Sequence, residues 1–177
     1  MTSHELEALL ERKEDEHCEF KEAKSSFNWD KLVDYCVALA NERGGRLILG
    51  VTDKVPRQVV GTTSFANVED TKHRLLNTLR LRVEVDEIVH RDGRVVVFTV
   101  PSRPIGVAIH VEGRYLMRSG ESLVPMSPDQ LQRIFAESGP DFSVELCAAA
   151  TLNDLDPKAV DVFRQKWYEK RDRKSVV

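Results

Sequence analysis

The chain has 177 residues, 41% hydrophobic and 31% charged, enough for one well-buried core with a short element appended. No stretch reaches the roughly 18 consecutive apolar residues that a membrane span needs, so no membrane partner is expected. The net charge of −3 in sum argues against a polyanionic partner, but eight acidic and three basic side chains fall in residues 1–22 and leave the remaining body at +2.

Three cysteines, Cys18, Cys36 and Cys147, form no CxxC pair, and His4, His17, His73, His90 and His110 are scattered singly. That pattern argues against a disulfide framework or a zinc site and for free thiols in a reducing cytoplasm. The first twenty residues contain no apolar run of the secretory type, which agrees with a cytoplasmic location.

In chain order, residues 3–13 read as a short helix with Leu6, Leu9 and Leu10 on one face, and residues 18–23 as a short strand. Residues 30–42 have the apolar spacing of a half-buried helix, which Gly44-Gly45 stops. The run RLILGV, residues 46–51, is most simply a buried strand, with Val59 and Val60 as its partner across a turn. Asn67 opens a helix over Leu75, Leu76 and Leu79. Residues 82–90 and 94–100 flank Asp92-Gly93, the strongest hairpin signal in the chain. Residues 107–111 and 114–118 flank Glu112-Gly113 and suggest a second hairpin. Ser127-Pro128-Asp129-Gln130 has the form of a capping box with proline at the first helical position, and that helix runs to about residue 138 before Gly139-Pro140. A last helix, from Asp156-Pro157 to about residue 171, carries Val160, Phe163 and Trp167. These elements predict an α+β fold with a mostly antiparallel sheet, β-hairpins and helices packed on it. The expected division is a domain over residues 1–140 and a C-terminal extension over residues 141–177, with the charged tail EKRDRKSVV as a boundary to something further.

Two basic clusters stand out: Lys72, Arg74, Arg80 and Arg82 on and after the third helix, and Arg103, Arg114 and Arg118 around the hairpins. A basic hairpin can lie along a groove and pair with phosphates, whereas the bland alternative is ordinary surface charge. The segment Asn41-Glu42-Arg43-Gly44-Gly45-Arg46 also has two readings. Either its backbone amides cradle a phosphate that Arg43 or Arg46 neutralises, or Asn41 and the glycines simply cap a helix. No glycine precedes a Lys-Ser/Thr pair here, so the turn is not a nucleotide-binding P-loop.

Three blocks in order resemble the Schlafen/AlbA-like domain family: EDEHCEFK at residues 14–21, ALANERGGRLILGVTD at 38–53 followed by VVG at 59–61, and PSRP at 101–104 with GRYLMRSGES at 113–122 before a capped helix. The resemblance implies nucleic-acid binding, often in bacterial transcriptional regulators. In some relatives it implies a metal-dependent endoribonuclease acting on structured RNA such as transfer RNA. The three carboxylates of those relatives would fall on Glu14, Glu19 and Asp53, where Mg²⁺ or Mn²⁺ would be held by hard oxygen ligands. If the domain only binds, no cofactor is implied. Cleaving relatives build a groove from two lobes, so a single lobe implies a homodimer. On the residues alone, Glu14 can equally belong to a solvated acidic face and Asp53 to a turn.

Overall fold

Two apolar runs with no polar alternation, residues 47–49 and 95–98, lie at the centre of the sheet in the computed structural model, which describes residues 3–11, 15–137, 151, 154 and 156–172. Strands buried on both faces read this way, because neither side of the pleat meets water. The elements are α1 (Ser3–Leu10), β1 (Cys18–Lys21), α2 (Trp29–Asn41), β2 (Gly45–Leu49), α3 (Val68–Leu79), β3 (Glu84–His90), β4 (Gly93–Val100), β5 (Leu116–Ser119), β6 (Ser122–Pro125), α4 (Pro128–Phe135) and α5 (Pro157–Asp172). The chain divides into two compact units, residues 1–139 and 140–177.

In the first unit a four-stranded sheet runs in the order β1-β2-β4-β3, with β1 parallel to β2 and the other pairings antiparallel. β5 and β6 form a separate antiparallel pair. The class is α+β with a mostly antiparallel arrangement, as the order of elements predicts. Successive side chains of a strand point to opposite faces. Leu47, Leu49, Val96, Phe98 and Val100 therefore pack with Leu32, Cys36 and Leu39 of α2 and Leu75 and Leu79 of α3. Ile48, Val95 and Val97 pack with Phe20, Ile88 and the three leucines of α1 on the other face. Complete burial pushes the Cys36 thiol up to about 12, so it behaves as an inert core residue.

Local signals account for the helix starts. Asn28 accepts from the Lys31 amide at 3.0 Å and Asn67 from the Asp70 amide at 3.0 Å, each satisfying an amide that the first turn leaves open. Ser127 and Gln130 make both bonds of a capping box, at 3.3 and 2.8 Å, ahead of α4. In the second unit Asp156 accepts from the Lys158 amide at 2.9 Å at the start of α5, on which Phe163 and Trp167 are exposed.

The hairpins divide into one agreement and one correction. β3 and β4 form the expected hairpin, with His90 opposite Gly93, so that its two-residue turn is Arg91-Asp92, one residue before the Asp92-Gly93 pair that signals it. Around Glu112-Gly113, by contrast, only Val111 and Arg114 bridge, and the hairpin lies further on, with Ser119 opposite Ser122 around Gly120-Glu121. The buried Asn41 is the reason: its amide group accepts from the Ile109 amide at 2.9 Å and donates to the carbonyls of Ile109 and Leu116 at 2.9 and 2.8 Å. A side chain takes the bonds that a strand ladder would have taken.

The α2–β2 corner depends on its glycine pair. A Cβ on Gly45 would stand 2.5 Å from the His17 carbonyl oxygen, and one on Gly44, at φ +95°, would stand 2.8 Å from that of Val100. Both obstructions are backbone, so neither can turn aside. Gly45→Ala is expected to lower unfolding free energy by about 1–3 kcal/mol, the usual range for overpacking. Urea denaturation should show a lower midpoint with an unchanged slope.

Candidate nucleic-acid interface

On β1, Cys18 and Phe20 point toward α1, so the alternation sends Glu19 and Lys21 to the α2 face. Glu19 is 1% exposed. The Lys21 ammonium lies 2.6 Å from Glu19 Oε1 and 3.3 Å from Asp53 Oδ2, and the Tyr35 hydroxyl donates to Glu19 Oε1 at 3.1 Å. Arg118 reaches in from β5 and ion-pairs through Nη2 with Glu19 Oε2. Burial and the Glu19 charge raise the Tyr35 phenol above its usual range. Burial by itself would weaken the hold of Lys21 on its proton, but the hydrogen bond and charge of Glu19, with smaller contributions from Tyr35 and Asp53, outweigh it and raise the ammonium above its ordinary value.

This cluster bears on the implied metal ligands. Glu14 lies outside the described residues. Glu19 and Asp53 are brought together, but around an ammonium. Both oxygens of Glu19 are engaged, and Lys21 holds the position between the two carboxylates. Among the described residues no group of three His, Cys, Asp or Glu side chains stands close enough to hold a metal ion. The side chains as arranged do not fit a divalent cation shared by Glu19 and Asp53.

The basic candidates sort by partner. Arg118, expected at a phosphate surface, is buried instead, because the Glu19 charge draws it inward. Arg103 gives Nη1 and Nη2 to the Glu137 carboxylate at 2.7 and 2.6 Å, and Arg114 lies 3.0 Å from Asp34. Lys72 pairs with Glu69 at 3.0 Å, and Arg82 lies 3.4 Å from Glu84. The Arg74 guanidinium lies 3.9 Å from the centre of the Trp29 ring. Arg43 and Arg46 are exposed, and no described carboxylate lies within ion-pair distance of either.

Those two arginines flank the glycine corner. The Glu42 amide donates to Ala38 at 3.0 Å, Arg43 to Ala40 at 3.2 Å, Gly44 to Leu39 at 2.8 Å and Arg46 to His17 at 2.7 Å. These amides complete the helix end and the β1 pairing, so the helix-cap reading holds and a backbone phosphate cradle does not. What the corner offers a ligand is side chains. A cavity of about 390 Å³ runs past it, lined among others by Asp15, His17, Arg43, Arg46 and Ser102. A second, of about 400 Å³, shares Arg43 and Ser102 and adds Arg103, Ile105 and Glu137. The carbonyl of Gly44 can only accept, so the 2.8 Å contact with His17 Nδ1 places a proton on that nitrogen.

An α+β domain of this kind has known counterparts. The chain belongs to the Schlafen, AlbA_2 family, whose profile covers residues 14–127. It is similar to the crystal structure of the DIP2311 protein from Corynebacterium diphtheriae at a TM-score of 0.58 and 21% identity, over 92% of this chain and 37% of that one. The chain therefore spans little more than a third of that relative. The solution structure of the N-terminal domain of an ATP-dependent DNA helicase RecG-related protein from Nitrosomonas europaea aligns at a TM-score of 0.49 and 20% identity, over 69% of this chain and 87% of that one. No curated protein matches the chain.

Two outcomes follow from these charges. Glu19→Gln leaves Arg118 buried without its counter-charge and should cost about 3–5 kcal/mol of unfolding free energy, as removal of one partner of a buried pair does. Arg46→Ala should change stability by less than about 0.5 kcal/mol, and urea unfolding of both variants checks the contrast. The Glu137 carboxyl is held down to about 2, first by the hydrogen bond from Arg103 and, against the opposing effect of burial, then by the Gly106 amide and the Arg103 and Arg43 charges. Because the folded value is depressed, this tie contributes stability above the ordinary glutamate range. That contribution falls away as pH drops from about 4.5 through about 2. A carboxyl-carbon NMR titration should find Glu137 still ionised at pH 3.5, and Arg103→Gln should raise its midpoint toward the ordinary glutamate range.

Proposed function

We propose that this chain is a nucleic-acid-binding domain that meets phosphate at the Gly44–Gly45 corner through Arg43 and Arg46. One observation carries the reading. Of the basic residues singled out from the sequence, these two lie on a concave surface and ion-pair with no described carboxylate, while most of the others already have an acidic partner. An arginine spent on a carboxylate must give up that bond to take a phosphate; a free one gives up only water. Membership of the family supports the same class of ligand. DNA and RNA both present the phosphate that these side chains would contact.

Binding of labelled transfer RNA, single-stranded DNA and duplex DNA, followed across a salt series, tests this. Affinity should fall with added salt as counterions are released. On a single strand the slope of log K against log salt should become shallower by about 1.4 when Arg43 and Arg46 are both changed to glutamine. Loss of affinity with an unchanged slope would reject these two as the phosphate contacts. The same mixtures with Mg²⁺ or Mn²⁺, and with chelator, address the ribonuclease activity that the resemblance implies. Metal-dependent cutting abolished by Asp53→Asn would replace the binding reading with an enzymatic one. Asp53, exposed at a strand exit, is the better residue for that purpose, since a Glu19 variant tests the fold as much as the chemistry.

A further inference from the structure

The groove at the glycine corner is asymmetric along the sheet, and the asymmetry bears on which part of a strand it can hold. The first cavity passes in order across the start of β1, the start of β2 and the end of β4. β1 is the sheet edge, and there the cavity is bounded by Leu9 of α1 and by the Asp15 carboxylate, whose Oδ1 accepts from the His17 amide at 2.8 Å. At the β4 side it continues, through the shared Arg43 and Ser102, into the second cavity, where Ile105 is 59% exposed. The middle holds the two free arginines. A phosphate at the centre is attracted; the next phosphate on the β1 side would meet the unneutralised Asp15 carboxylate, whereas a chain leaving on the β4 side meets Ser102 and the Arg103–Glu137 ion pair, whose charges offset each other.

We propose that this groove takes the phosphorylated end of a strand, a terminal phosphomonoester, with the chain leaving past Arg43 toward Ile105. The proposal rests on the nucleic-acid reading above and deepens it. A monoester presents three non-bridging oxygens and up to two charges, which two guanidinium groups can share, whereas an internal diester presents two oxygens and one charge. A volume of about 390 Å³ suits one terminal nucleotide and lies in the range of small-ligand pockets, roughly 300–1,000 Å³.

The experiment compares one labelled single strand, made in DNA and in RNA, in four forms: 5′-phosphorylated, 3′-phosphorylated, hydroxyl at both ends, and covalently closed into a circle. At least one phosphorylated form should bind about tenfold more tightly than the hydroxyl form and the circle, the scale of one charge-assisted hydrogen bond. The two phosphorylated forms distinguish which end is held. Arg43→Gln/Arg46→Gln should erase the preference, Arg46→Lys should retain part of it, and Asp15→Asn should improve binding of the circle relative to the linear forms. All variants are checked by thermal melting. Equal affinity for circle and phosphorylated strand would overturn the proposal while leaving the binding reading intact. No binding by any form would overturn both.

Discussion

Glu19 places a carboxylate, 1% exposed, on the α2 face of β1, and a charge in that position costs several kcal/mol unless opposite charges accompany it. Lys21 comes from the same strand, the Tyr35 hydroxyl from α2 and Arg118 from β5. A single buried anion thus sets where three elements stand relative to one another. The arrangement also decides the electrostatics outside. Arg118 is withdrawn from the surface and Asp53 is tied to Lys21, while Arg43 and Arg46, at the opposite end of β2 beside the glycine corner, ion-pair with no described carboxylate.

The parts of this architecture that a reader of the sequence can see are those written in local chemistry. Asp92-Gly93 marks the β3–β4 hairpin, whose turn is Arg91-Asp92, and Ser127 with Gln130 opens α4, because each signal lies within four residues of its effect. The apolar runs of β2 and β4 are visible for a related reason: burial on both faces leaves its mark residue by residue. Partnership between distant side chains leaves no such mark. Nothing near Arg118 shows that a carboxylate far back in the chain will bury it, and nothing near Glu112-Gly113 shows that Asn41 will take the hydrogen bonds of Ile109 and Leu116. The same limit applies to the candidate site. Arg43 and Arg46 are visible as bases, but that they stand free while Arg103 and Arg114 are neutralised depends on Glu137 and Asp34, which only the fold brings near.

Asn41 serves both the fold and the groove. It closes α2 in sequence, and its amide group, 6% exposed, bonds the backbone on both sides of the Val111–Arg114 bridge. The chain just before it also reaches the groove, since the Arg103 amide donates to the Ala40 carbonyl at 3.0 Å. The segment carrying Ser102 and Arg103 is thereby fixed against the helix end that carries Arg43. The two walls of the groove therefore belong to one rigid corner rather than to independent loops.

The β5–β6 hairpin is tied to the body through Leu116 and Leu123 in the core and through polar groups whose bonds span long stretches of sequence, 75 residues between Asn41 and Leu116. Contacts between near neighbours form before loops of that length close, since closure must first overcome their entropy. The body of β1, α2, β2 and the β3–β4 hairpin can thus assemble while β5 is still hydrated. Docking of the hairpin is then the late step, in which Arg118 exchanges water for Glu19. A hairpin arriving one residue out of register would present the wrong face of β5 and leave Glu19 short of its arginine, so the same pair that holds the finished structure also rejects the misassembled one.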